Sequence, residues 1–278
     1  ITAPIMAVLL IFALALTVIT NYFTPSLNAF LGKGARKATT PSGTAGWDTD
    51  YYDISSKNSN EALQNSLQTS ENIADEGIVL LKNNGLLPLA ADKAITPFGY
   101  DYLNPMMSGS GSGSADTTAD YVYTAEKGIN EAFSNVNNAA VDAMKNGTPH
   151  VVTPAAASGE GGATAFLGAS MNLNEYPAET YDGIEDTCKG TVGIVFLGRA
   201  GGEGGDLYTQ EYDDGTPHQL ALTDTERGVL EFVKKNCDGV VVVLNSCNTM
   251  QVGELEDDTD SDAVLTMCTP GAVGLKSL

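Results

Sequence analysis

Two short apolar runs, TVGIVFL at 191–197 and VVVVL at 240–244, constrain the fold of this chain more than any other feature. Both are rich in β-branched residues and lack the polar alternation of a strand with one wet face, so they predict strands buried on both sides of a parallel sheet. The second, introduced by Gly239, reads as the central strand. Between them, Leu220–Leu222 leads to Thr223, with Glu226 three residues on. That pair forms a capping box for a helix whose apolar stripe is Val229, Leu230 and Val233. Strands alternating with helices predict an α/β fold, a mainly parallel sheet sandwiched between helices.

In such sheets ligands bind beyond the carboxyl ends of the strands. The loop leaving 191–197 reads GRAGGEGGD and holds five glycines between Gly198 and Gly205, with Arg199, Glu203 and Asp206 among them. Glycine lets the backbone adopt positive φ and come close to a ligand, and Glu203 has glycine on both sides. The same spacing also suits a plain surface turn with an exposed carboxylate.

Upstream, the steps between Leu63, Leu67, Ala74, Ile78 and Leu81 predict one helix over Asn60–Asn83, ended by Gly85. Ala94–Phe98 is the expected first strand, with Pro97 marking an edge or a bulge. The GSGSGS run at 109–114 matches neither phosphate-binding signature, G-x-x-x-x-G-K-[ST] or a G-x-G-x-x-G that opens a helix directly. Thr124–Phe133 reads as a helix, 147–190 as loops with short helices, and Tyr208–Gln219 as an acidic, irregular insert. Ala263–Met267 is a further strand, and Pro270, Gly271 and Gly274 turn into a helix that Leu278 cuts short.

The first 20 residues carry no charge, close to the ~20 apolar residues that cross a bilayer as a helix. Tyr22 and Phe23 suit the interface. The apolar run is longer than that of a signal peptide, so residues 1–23 are expected to form a transmembrane anchor. Residues 24–59 follow as a polar connector, and 60–278 as the globular domain. Lys33, Arg36 and Lys37, counted alone, favour a cytoplasmic downstream side; basic residues ahead of Ile1, where no initiator methionine stands, are uncounted. Formal net charge is -21, from 35 acidic and 14 basic residues, which argues against nucleic acid or an anionic lipid surface as partner. Four cysteines without a C-x-x-C pair and two histidines give no support for a metal site. Buried free thiols suit the cysteines best, with Cys247 and Cys268 expected as neighbours.

Four segments, taken in order, point further: EGIVLLKNNGLLPL (76–89), the glycine-serine loop after TPFG, GRAGGEGGDL (198–207), and VVVLNSCNTM (241–250) followed by TPGAVG. Together they resemble the α/β sandwich domain of glycoside hydrolase family 3, the family of β-glucosidases and β-xylosidases. The resemblance covers about residues 60–278. It implies retaining hydrolysis of O-glycosyl bonds in an oligosaccharide or glycoside, with no metal or cofactor. In that family a (β/α)8 barrel supplies the aspartate nucleophile, and the sandwich supplies the acid/base glutamate, whose place Glu203 matches. Asp206 falls on a recurrent acid of the motif, for a loop-positioning role first. With Arg199, Ser110 and Ser112 it makes up the expected substrate-binding set. The anchor, FLGKG and WDTDYYD resemble membrane-anchored bacterial members whose sandwich domain comes first. The implied protein is therefore an inverted-order enzyme, membrane-anchored with its globular part outside the cell. Its barrel is expected downstream, beyond a sandwich domain incomplete at its C-terminus. No barrel or nucleophile segment occurs in these 278 residues. A non-catalytic, membrane-tethered carbohydrate-binding or scaffolding module is the alternative, and a nucleotide binder built on the 109–114 loop a further one.

Overall fold

The computed structural model describes residues 2–31, 42–43, 46–47, 55–109, 114–154, 171–202 and 207–278. The chain divides into two units, Ile1–Ser55 and Ser56–Leu278. In the first, helix α1 (Thr2–Phe30) includes 25 residues, Pro4–Asn28, long and apolar enough to cross a membrane. Its threonines suit that setting. The hydroxyls of Thr17, Thr20 and Thr24 each donate to the carbonyl four residues back, at 2.8 Å, and so need no water.

The second unit begins with α2 (Ser59–Gly77), capped by the Asn58 side chain, which accepts from Glu61 N at 3.0 Å. The helix stops well short of Asn83. Val79–Asn83 is instead a strand, β1, antiparallel to the last strand of the sheet. Gly77 weakens the helix, and the β-branched Ile78 and Val79 favour extended backbone. Leu81 continues the helical stripe all the same, so pairing with the open sheet edge decides the outcome.

Next come β2 (Ile95–Phe98), α3 (Tyr100–Leu103), α4 (Ala125–Ala132) and α5 (Ala139–Asn146). A small antiparallel pair, β3 (His150–Val152) and β4 (Leu173–Glu175), stands apart from the main sheet. The short α6 (Glu185–Cys188) leads to β5 (Val192–Arg199), then α7 (Asp224–Asn236), β6 (Gly239–Ser246), α8 (Gly253–Asp257) and β7 (Ala263–Thr266). At the end of the chain Gly274–Lys276 forms a turn of 3-10 helix.

The main sheet has the order β1-β7-β6-β5-β2, with β2, β5, β6 and β7 mutually parallel and β1 antiparallel. This is the mixed, mostly parallel sheet with flanking helices that the sequence predicts. β6 lies in the middle with all eight residues buried, and β2 forms an edge, where Pro97 costs no ladder hydrogen bond to a further strand. β5 and β6 pair in register from Val192↔Gly239 to Arg199↔Ser246. Both overrun the apolar segments that announced them, β5 because Gly198 and Arg199 find buried partners. Val233 of α7 lies against Gly193, while Ile194, Val241 and Val243 turn to the opposite face, toward Ile129 of α4. Alternate residues of the strands thus bury both faces under helices. Among the cysteines, Cys188 and Cys237 share a thiol–thiol hydrogen bond that pulls Cys188 down to about 7.

β2 delivers the chain to the sheet's carboxyl end through Gly99, at φ 98°. A side chain there would meet the backbone carbonyl of Phe196 in β5. Gly99→Ala therefore combines left-handed strain with overpacking against main chain, and is expected to cost about 2–5 kcal/mol. A urea denaturation midpoint unchanged from the wild type would contradict this.

Candidate functional site

Three loops gather at the carboxyl ends of β2, β5 and β6. The first leaves α3 and leads to the serine-glycine run. Ser108 closes its base, its hydroxyl accepting from Ala115 N at 2.8 Å. The second is the glycine loop after Arg199, and the third is Cys247–Met250. They meet through the main chain. A Cβ on Gly109 would lie 3.5 Å from the Gly201 carbonyl oxygen, and one on Gly201 would lie 2.8 Å from Cys247 Cβ. Asn245, fully buried at the end of β6, binds the first loop and the last turn together. Its Nδ2 donates to Met106 O (3.0 Å) and Cys268 O (2.6 Å), and its Oδ1 accepts from Met106 N at 2.6 Å.

Of the residues singled out in the sequence, Glu203, Asp206, Ser110 and Ser112 lie outside the described residues. Arg199 lies within them, and it is turned away from any ligand. It is 1% exposed, and every guanidinium N–H has a partner inside the chain. Nε donates to Gln219 O (2.5 Å), Nη1 to Gly198 O (2.7 Å) and Glu226 Oε1 (2.6 Å), and Nη2 to Ala221 O (2.6 Å) and Glu226 Oε2 (2.8 Å). No donor remains for a sugar hydroxyl, so the substrate contact expected of Arg199 gives way to a structural one beneath the loop. Glu226 holds this guanidinium while completing the capping box of α7. Its Oε2 accepts from Thr223 N (2.7 Å) and its own N–H donates to Thr223 Oγ1 (3.1 Å).

Two further carboxyl groups are buried close by. Asp101, 4% exposed, packs against Gly198, where any side chain would overlap its carboxylate. Burial holds Asp101 well above the ordinary aspartate range; Arg199 and the Gly198 N–H oppose this, and Glu226 adds to it. Glu175, 3% exposed, accepts from Tyr100 N (3.0 Å) and Tyr176 N (2.7 Å). Burial, with Glu226 second, raises it well above the usual range. Burial works against the charge of Arg199, and the bidentate pair with Glu226 is the main effect opposing it. The sequence signals none of these partners except Glu226, and that one only as a helix cap. Asp101 sits in a YDY run whose burial follows from the turn at Gly99.

Among the described residues, no group of three or more His, Cys, Asp or Glu side chains is placed to hold a metal ion. An apolar groove of about 580 Å³ runs over the sheet face at Ile194, Val241, Val243 and Leu265, with Asn83 and Lys276 its polar lining residues. It lies on a face of the sheet rather than at the strands' carboxyl ends and lacks the converging polar groups that a sugar needs.

The parallel sheet with loops gathered at its carboxyl ends defines an α/β sandwich of the kind that carries a site on its loops rather than in its core. Residues 78–278 match the glycosyl hydrolase family 3 C-terminal domain, and the chain belongs to that family. A β-glucosidase of Ruminococcus albus is 29% identical over 209 residues, covering 75% of this chain and 20% of the relative. The chain thus spans about a fifth of that relative's length. Among solved structures, a β-glucosidase of Paenibacillus barengoltzii superposes with a TM-score of 0.56 at 23% identity, over 76% of this chain and 22% of that one. β-Glucosidase 3B of Thermotoga neapolitana, in complex with α-D-glucose, gives 0.57 at 20% identity, over 77% and 28%. At these identities the superpositions establish the fold.

The buried carboxyls make stability depend on pH. In the folded chain Asp101 and Glu175 keep protons that the unfolded chain has lost above about pH 4, so stability falls as pH rises from there toward the raised folded values. Asp101→Asn removes one of these protons from the balance and keeps an acceptor for the Gly198 N–H. The variant is expected to gain on the wild type as the pH rises above about 5 toward the raised folded value of Asp101. Parallel pH profiles of the urea midpoint would show that Asp101 carries no such proton.

Proposed function

We propose that this chain is the sandwich domain of a β-glucosidase-like, retaining glycoside hydrolase, and that its glycine loop supplies the acid/base, Glu203. One observation carries the reading: in a domain of this family, the sequence G-E-G follows shortly after the carboxyl end of β5, which a buried ion pair fixes. Retaining hydrolysis needs two carboxyl groups about 5–5.5 Å apart, a nucleophile and a proton donor. The nucleophile is assigned to a (β/α)8 barrel in the same protein, and the substrate to a glycoside or oligosaccharide held between barrel and loop. The donor must be protonated in the first step and ionised in the second, so its pKa follows the charge on the nucleophile. Glu203 has only glycines beside it in sequence, and that tuning is therefore assigned to the barrel and the substrate. Asp206 is proposed to position the loop, and Ser110 and Ser112 to approach the sugar from the adjoining loop.

The uncharged helix α1 supports a further part of this reading, an uncleaved anchor that holds the enzyme at the membrane with its globular part outside the cell. The protein is then expected to stay with membranes through carbonate washing and to be cut by protease added to intact cells. Release by carbonate, or full protection from the protease, contradicts it.

The acid/base role is tested by Glu203→Ala in the enzyme that joins this domain to its barrel. Substrates with poor leaving groups are expected to slow most, by ~10²–10⁴-fold. An activated nitrophenyl glycoside keeps its first step, shows a burst as the glycosyl-enzyme accumulates, and is rescued by azide to a glycosyl azide of retained configuration. Equal slowing of all substrates without an azide response assigns the role to another acid. Sugar binding without any turnover by the wild-type protein would identify a binding module instead.

A further inference from the structure

We infer that Gln219 is the positioning residue for the acid/base loop, holding the two stems of the segment 201–207 at a fixed separation. The inference rests on the reading of Glu203 as the acid/base. Gln219 comes from the irregular insert ahead of α7, and neither helix nor strand fixes it, yet it is 1% exposed. Its side-chain Nε2 donates to Ala200 O (2.9 Å), on the stem that enters the segment. Its Oε1 accepts from Tyr208 N (3.1 Å), on the stem that leaves it. Its own backbone N–H donates to Tyr208 O at 3.0 Å, and its backbone carbonyl accepts from Arg199 Nε at 2.5 Å. One residue therefore bonds both ends of the loop and the ion pair beneath it.

The chemistry of the amide is essential to this clamp. The site presents a carbonyl on one side and an N–H on the other, so the side chain between them must donate and accept at once. Glutamate is nearly the same shape, but as a carboxylate it only accepts, and it would turn a lone pair toward the Ala200 carbonyl in a buried site. Methionine keeps much of the volume and makes neither bond. A second donor, Asn248 Nδ2, reaches Ala200 O at 3.3 Å from the loop after β6. Ala200 is therefore held from two separate loops.

If the stems set where the segment carries its carboxyl group, loosening them misplaces the proton donor and spares the nucleophile. Misplacement by about 1 Å costs on the order of 10²-fold where a group must be aligned with the reacting bond. The test compares wild type, Gln219→Glu, Gln219→Met and Asn248→Ala in the barrel-containing enzyme, with a glucosyl disaccharide and dinitrophenyl β-glucoside as paired substrates. For both Gln219 variants, kcat/KM on the disaccharide is expected to fall on the order of 10²-fold, with a much smaller loss on the activated glucoside. Azide should accelerate turnover of the activated substrate, and KM for the disaccharide should change little. Asn248→Ala is expected to give the same split at smaller size. A variant that is merely less folded loses both substrates in proportion and gains nothing from azide. That outcome, or full activity in both Gln219 variants, overturns the inference, and in that case Asn248→Ala also shows no split. Glu203→Ala serves as the reference. If it shows the split and azide rescue while the Gln219 variants do not, the clamp alone fails. If it shows neither, the acid/base reading and the clamp fall together.

Discussion

The bidentate pair between Arg199 and Glu226 connects the parts of this domain that would otherwise be independent. Arg199 ends β5, and Glu226 lies in the first turn of α7, 27 residues later. A buried ion pair of this kind stabilises little against an apolar substitute, but losing one partner leaves an uncompensated charge and costs about 3–5 kcal/mol. Its effect is on geometry. The guanidinium also takes the carbonyls of Gly198, Gln219 and Ala221, so the end of the strand, the insert and the entry to the helix are fixed around one planar group. A lysine could not do this, having neither the five donors nor the fork shape.

The same pair shapes the electrostatics under the loop. Asp101 and Glu226 stand near the guanidinium, and Glu175 stands near both of those carboxyls, an excess of acid that cannot all be ionised in a low-dielectric interior. The two carboxyls not bonded to Arg199 are the ones pushed upward. The platform beneath the glycine loop thus carries less negative charge than its composition suggests, in a chain of formal net charge -21.

How far this was legible in the sequence varies with the range of the interactions. β6 and the capping box of α7 could be read because their signals are local: a run of valines, and two residues three apart. β1 is hard to read because Leu81 continues the helical stripe of Ala74 and Ile78, and only pairing with β7, about 180 residues away in sequence, distinguishes strand from helix. Glu226 was legible as a cap but not as the partner of Arg199, since nothing local records the second half of its role. A charged residue in a glycine loop usually faces outward, and the inward turn of Arg199 depends on acceptors that arrive 20 or more residues later. Gln219 gave no signal at all, since a lone glutamine in a polar insert resembles any surface residue. Of the expected site, only Arg199 falls within the described residues, and the roles of Glu203, Asp206, Ser110 and Ser112 rest on family resemblance.

The bonds made by Asn245, Asn248, Gln219 and Arg199 to the loops around the site share one property: they end on main-chain atoms. Carbonyls and amides are present whatever the side chain, so these four side chains hold the path of the loops, and composition matters at contacts such as Ser108 and Gly201. Loop positions that none of these contacts uses can be exchanged without loosening the attachment. A library that varies only the remaining loop positions, keeping Ser108, Gly201, Glu203 and those four side chains, would leave this frame intact.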